Sequence, residues 1–365
     1  QFFALGPVQI AVTLAAFHLA YVLLALPAVL FHRRFGFKLG LLAGLSVFGI
    51  GAFLLYLAIV QHATGYFLAA VLVIGSCGAW LDTALNPLAA MAGAPQTLLR
   101  RMTVAHAFNG LGLFAAYVTG ISLLGRDYQL SSGATAQISA IPYVVVGLGA
   151  LFLAFLLEQV RLPAIAAKGD GHARPILTDL RALRGDRAFM RAALALAAYC
   201  AVLTILWTAA YKYQHSELPG HTVVMFERGW FWFVVGRLAG LVLMRWIAPL
   251  RLLQISAGLC LVMIAMVGLA GGEIGWLSLL AASFCLSIHY PTIFGTALQQ
   301  NATRLAVAAG VMVIAAGLGN ALSSLGASLA LDALQISPRL VVMMALPCEA
   351  VVLAFALRAR QQIRS

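Results

Sequence analysis

Apolar runs as long as a bilayer is thick recur along this 365-residue chain, and that recurrence leaves it few architectures. An α-helix needs about 20 predominantly apolar residues to cross the hydrocarbon layer. The hydropathy pattern predicts eleven such spans, at roughly 8–30, 39–60, 66–92, 102–124, 139–157, 189–211, 224–247, 252–271, 274–297, 305–329 and 340–357. Only 9% of the residues are charged and 63% are hydrophobic, whereas a soluble domain carries about 25% charged residues. A water-facing surface cannot be built from that inventory. A transmembrane β-barrel is excluded too, because its strands alternate polar and apolar residues at every second position. The expected fold class is an all-α polytopic membrane protein.

The loops carry the orientation signal. One set holds Arg33, Arg34, Lys38, Arg100, Arg101, Arg161, Lys168, Arg174, Arg181, Arg184, Arg187, Arg245, Arg251, Arg304, Arg358, Arg360 and Arg364; the other holds only Arg126, Lys212, Arg228 and Arg339. Basic residues collect on the cytoplasmic side, so the first set and the C-terminus are expected there. The net charge of +12 is read the same way, with no nucleic-acid partner. The one long connection, 158–188, is rich in Pro, Gly and charge, and it divides the chain into an N-terminal bundle (1–157) and a C-terminal bundle (189–365) with a short tail. The halves echo each other. A basic turn at His32–Lys38 follows the first span and another at Arg245–Arg251 the seventh, making Arg33, Arg34 and Arg245 candidate gate residues. Asn86-Pro87 interrupts the third span and Tyr290-Pro291 the ninth. Repeated halves of this kind suggest a two-bundle transporter. Five spans against six imply that one helix is missing before residue 1.

Asp82 lies near the middle of the apolar stretch Tyr66–Ala92. A carboxylate at the centre of a spanning helix costs about 2.5–3.5 kcal/mol on insertion scales, and it usually serves a proton, ion or solute pathway or is paired in a polar cavity. Asn86, four residues on, shares its helix face. His106 and Asn109 share a face of the next span, and the Asn amide offers the donors and acceptor that hydroxyl groups need. An interhelical hydrogen bond is the plainer use of such an amide. Tyr199, Trp207, His289 and Tyr290 present aromatic faces with polar tips, though aromatics also pack ordinary helices. Glu349, central in the last span, is a possible second buried acid. Arg237 is expected to hold helix-end carbonyls or an acidic partner near the cytoplasmic gate. The five cysteines lie in or beside apolar segments with no Cys-x-x-Cys pair, which reads as small buried hydrophobes rather than metal ligands. No P-loop, zincin or dinucleotide fingerprint appears, so neither ATP-driven transport nor enzymatic catalysis has support.

Three blocks carry a resemblance: Leu81-Asp-Thr-Ala-Leu-Asn-Pro87, Ala105-His-Ala-Phe-Asn-Gly-Leu-Gly112 and Ser283-Phe-Cys-Leu-Ser-Ile-His-Tyr-Pro-Thr-Ile-Phe294. With Gly236-Arg-Leu-Ala-Gly240 and Glu217-Leu-Pro-Gly220, their order and spacing resemble the fucose permease-like (fucose/galactose/proton symporter) family of the major facilitator superfamily. The resemblance implies a major facilitator fold of two pseudo-symmetric bundles, with helices 2–12 of twelve present. It implies that Asp82 belongs to the sugar and proton pathway, where an acid in a semi-dry cavity loads and releases protons as water access changes. It implies substrate contacts by Asn86, His106, Asn109, Tyr199, Trp207, His289 and Tyr290, but does not support a role for Glu349. The sequence departs from the family pattern at Asp82, where Glu is usual, and at His106 and Leu203, where Gln is usual.

The expected function is therefore secondary active transport: proton-coupled symport of a monosaccharide by alternating access. No cofactor or metal is expected beyond the proton gradient, and the protein is expected to be a monomer in the plasma (bacterial inner) membrane. A proton-driven exporter of small amphiphilic compounds and a non-transporting membrane sensor stay open as rivals.

Overall fold

The computed structural model describes residues 6–124, 133–161, 175–220 and 228–364. Five long helices form the first half: α1 Pro7–Phe35, α2 Phe37–Val60, α3 Thr64–Met91, α4 Leu98–Leu124 and α5 Gly133–Gln159. A short helix, α6 Ile176–Gly185, precedes the second half. That half comprises α7 Arg187–Glu217, α8 Gly229–Leu243, α9 Pro249–Ala270, α10 Gly272–Leu286, α11 His289–Gln300, α12 Leu305–Ser328, α13 Pro338–Met343 and α14 Leu346–Arg364. Among the described residues nine helical segments are long and apolar enough to cross a membrane, and α8 is a shorter apolar helix. The 27-residue α4 completes the eleven expected positions.

Two spans are not continuous. The span expected at 274–297 breaks at Ser287–Ile288 into α10 and α11, and the last span breaks at Met344–Ala345 into α13 and α14. Pro291, third residue of α11, and Pro347, second of α14, lack the N–H that would continue each ladder. Such breaks survive in a membrane only where protein re-satisfies the freed backbone groups. The connection expected at 158–188 as a loop is also partly helical. Pro175 opens α6 and Asp186 caps α7, its carboxylate accepting from the backbone N–H groups of Ala188 at 2.8 Å and Phe189 at 3.2 Å. Its middle, 162–174 with Lys168 and Arg174, lies outside the described residues, as does Arg126.

Each half packs as a bundle: α1 and α2 on α3, α2 on α5, then α7 on α12 and α14, and α9 on α10 and α14. The halves meet where α1 and α3 lie on α12 and where α4 lies on α8 and α11. Helix α12 can sit between α1 and α7 because it is bare on both sides. A Cβ at Gly317 would come within 2.9 Å of Tyr21 of α1, and one at Gly319 would strike the backbone carbonyl of Ala197 of α7. Small residues that let helix backbones approach are the packing device of membrane bundles. At the turn between α1 and α2, Gly36 takes φ +87°, a conformation open to glycine, while its N–H donates to the His32 carbonyl at 2.8 Å.

Candidate functional site

Asp82 lies on α3 where that helix faces the other half. Its side chain is near enough to interact electrostatically with Tyr21 of α1 and Cys77 of α3, and with Cys200 of α7 and Tyr290 of α11 across the bundle boundary. Its carboxylate makes no hydrogen bond to any described residue. A carboxylate so enclosed is costly as a lone anion. It is chemically open to a proton or to a polar cargo.

A polar line runs from Asp82 across the boundary. Asn86 donates from Nδ2 to the Asp82 carbonyl at 2.9 Å, and its Oδ1 meets His106 Nε2 of α4 at 3.1 Å. The His106 carbonyl and Asn109 Oδ1 accept from one nitrogen of Arg237, at 2.7 and 3.1 Å. Arg237 is buried on α8 and also donates from Nε to the Ser287 carbonyl at 3.0 Å. That carbonyl is one freed by the break between α10 and α11, so the guanidinium mends the broken ladder and ties it to α4. The helix-end carbonyl expected for Arg237 is present; among the described residues it has no carboxylate within ion-pair distance, and Tyr199 lies within electrostatic reach.

Of the aromatic candidates, Tyr199 meets both His289 and Tyr290, and Tyr290 lies within electrostatic reach of Asp82. Tyr290 lies between His106, at a ring-centroid distance of 4.9 Å, and Tyr199, at 6.1 Å. Trp207 packs edge-on against Phe233, and its buried Nε1 has no hydrogen-bond partner. His289 is fully buried behind Tyr199, its ring stacked on the phenol at 5.7 Å. Its Nε2 lies 3.0 Å from Glu349 Oε1. Glu349, a residue of the last span, is thereby drawn inward into a pair with a candidate substrate residue.

At the basic end, Asp179 of α6 lies 3.5 Å from Arg33 of α1 and 3.5 Å from Arg304 just before α12. One carboxylate thus joins both halves through the inter-bundle segment. A cavity of about 400 Å³ opens beside it, lined among others by His32, Arg33, Ala90, Gln299 and Arg304. This cavity is not built around Asp82. Arg34 and Arg245 are exposed, Arg34 lying against the Phe35 ring.

Several polar groups escaped sequence reasoning. Asp179 sits in a charged segment where nothing but the amphipathic spacing of Asp179 and Leu183 sets it apart. Thr204 donates to Asn320 Oδ1 at 2.8 Å, joining α7 to α12 across 116 residues of sequence. His18 and Tyr21 put a polar edge on α1, legible as a three-residue spacing within the first span. Among the described residues no three of His, Cys, Asp and Glu gather as a metal site.

A family model described as Major Facilitator Superfamily matches residues 1–330. The L-fucose-proton symporter of Escherichia coli (strain K12) is 26% identical over 323 residues, covering 82% of this chain and 74% of that protein. The Glucose/galactose transporter of Brucella abortus biovar 1 (strain 9-941) is 27% identical over 304 residues, covering 81% and 73%. Among solved structures, the transporter FucP in the outward conformation superposes with a TM-score of 0.85 at 24% identity, over 98% of this chain and 92% of that one. The human organic anion transporter MFSD10 superposes with a TM-score of 0.70 at 14% identity, over 95% and 83%.

Proposed function

The chain belongs to the Major Facilitator Superfamily, and within that fold we propose that it is a secondary active transporter coupling protons to a monosaccharide of the fucose, galactose or glucose class. The observation that carries the reading is Asp82: an acid without a hydrogen-bond partner among the described residues, set where the two bundles face each other. Relatives named as an L-fucose-proton symporter and a glucose/galactose transporter supply the cargo class.

On this reading the bundles rock about the boundary, exposing Asp82 to each side in turn. A proton on Asp82 removes its lone charge and lets the sugar settle among Asn86, Asn109 and the Tyr199–Tyr290 aromatics. Hydroxyls bond the amides while the ring stacks on an aromatic face. Loss of the proton restores the anion and drives reorientation with both cargoes gone. The basic end is the cytoplasmic one by the positive-inside rule, which puts the C-terminus inside. The protein works as a monomer in the plasma membrane. Arg33, Asp179 and Arg304 close the cytoplasmic side.

The test is sugar-dependent proton uptake by the full chain in proteoliposomes, with L-fucose, D-galactose and D-glucose offered in turn. Asp82→Asn is expected to lose uphill accumulation while retaining sugar counterflow. Undiminished accumulation in that variant refutes the proton role, and absence of flux with every sugar refutes the cargo.

A further inference from the structure

Two helices of the second half are broken, and the breaks bring together two titratable side chains. His289 is the first residue of α11, and Glu349 lies in the first turn of α14. Their side chains are fully buried, with Nε2 and Oε1 3.0 Å apart. The other two polar atoms, His289 Nδ1 and Glu349 Oε2, are buried with no hydrogen-bond partner. A pair kept only for structure ends with its polar atoms satisfied, because each orphan costs about 1–3 kcal/mol. This pair leaves one orphan on each partner.

The titratable groups within reach of the pair come from α7, α9, α10 and α14. Tyr199 of α7 stacks on the imidazole. Cys260 of α9, Cys285 of α10 and Cys348 of α14 lie within electrostatic reach of the carboxyl. Arg237, a permanent charge, lies within electrostatic reach of Tyr199. Tyr199 meets Tyr290 edge-on, and Tyr290 is within reach of Asp82. The Tyr199 and Tyr290 rings therefore link the pair to the central acid.

We propose that His289 and Glu349 form a second proton-binding site, in the C-terminal half, whose charge is felt at the central site through Tyr199. With one proton, shared between Nε2 and Oε1, the pair is a net anion. A second proton, drawn from water, forms a single N–H or O–H bond at Nδ1 or Oε2 and leaves the pair neutral; release reverses that step. No other bond forms or breaks. Tyr199 stacks on His289, meets Tyr290 edge-on and lies within electrostatic reach of Arg237. A change of charge behind it alters how Arg237 holds α4, and so how readily the bundles part.

The site's role in transport rests on the symport reading above, but its proton binding does not, and two measurements keep them apart. The first is infrared difference spectroscopy of the full-length purified protein through a pH titration, with no sugar present. Among the titrating carboxyl signals of wild type, Asp82→Asn is expected to remove one and Glu349→Gln a different one. His289→Gln keeps the carboxyl but is expected to change the frequency of the Glu349 band, because the partner hydrogen-bonded to Oε1 is gone. It also serves if Glu349→Gln does not give monodisperse protein. A difference spectrum identical in wild type and His289→Gln, or one from which Glu349→Gln removes no signal, overturns the site. The second is the pH profile of L-fucose and D-galactose counterflow, expected to lose one of two ionisations in Glu349→Gln. An unchanged profile overturns the coupling to transport. Loss of all sugar flux in wild type would instead refute the symport reading and leave the infrared result standing.

Discussion

Arg237→Met probes most directly how the two bundles are held. The guanidinium bonds two acceptors on α4, the His106 carbonyl and Asn109 Oδ1, and a third at the helix break, the Ser287 carbonyl. In soluble proteins a charged donor contributes about 1.5–3 kcal/mol per bond, but polar contacts between membrane helices average about 0.6 and reach about 1.7 kcal/mol. The membrane figure applies here, so the two bonds to α4 hold the halves together by about 1–3 kcal/mol. Methionine keeps much of the packing against Phe233, over whose ring the guanidinium lies at 4.4 Å. It also removes the cost of burying a charge, which offsets part of the loss. A net change of about 1–2 kcal/mol alters the ratio of the two arrangements, α4 on α8 or parted from it, by about 5- to 30-fold. The readout is the alkylation rate of a cysteine replacing Ala90, a buried residue lining the basic-end cavity. That rate is expected to rise by the same factor. Arg237→Lys should fall between, since a single ammonium cannot reproduce the three-way fork. If the melting temperature falls while alkylation stays unchanged, Arg237 only mends the helix break and the reasoning about the bundle contact is wrong.

Asp179→Asn removes the carboxylate shared by Arg33 and Arg304. Asp179 is buried and its two arginines partly exposed; at about 0.2–1 kcal/mol for each contact, alkylation of the same cysteine should rise by about two- to thirtyfold, and more at low salt than at high. Gly319→Ala drives a methyl into the Ala197 carbonyl and is expected to cost about 1–3 kcal/mol, read as a lower melting temperature in detergent. Gly112→Ala, where a Cβ meets nothing within 4 Å, is the control expected to leave melting unchanged.

How much of this could be read from the chain depends on the distance over which each signal acts. Spans are local: a run of apolar residues is its own evidence, and every expected span has a helix in its place. Asp82 was legible for the same reason, as an acid in a window where acids are costly. The interruption at Tyr290-Pro291 was visible as a proline, but that α10 ends at Leu286, and that Arg237 fills the gap, was not. That pairing joins residues 50 apart in sequence. His289 with Glu349 and Thr204 with Asn320 are longer-range still, at 60 and 116. A helix periodicity says which face a residue occupies, never which helix lies against that face. Asp179 illustrates the converse: in a segment full of arginines its charge looked solvated, and only the fold turns α6 so that it meets both halves.

The two acids of the membrane spans show why type of residue and position in a span do not fix a role. Asp82 and Glu349 carry the same group in membrane-spanning segments, and insertion cost alone treats them alike. Their partners separate them. Asp82 has no hydrogen-bonding partner among the described residues and faces the other half, and on the proposed reading whatever neutralises it comes and goes with the cargo. Glu349 has a partner within its own half, His289, and on the same reading gains or loses a proton without meeting cargo. The substitution series distinguishes these duties. Asp82→Asn should abolish coupling and spare the response of counterflow to the second ionisation, while Glu349→Gln should keep coupling and lose that response. If either variant produces the other's phenotype, the division of labour between the halves has been assigned the wrong way round.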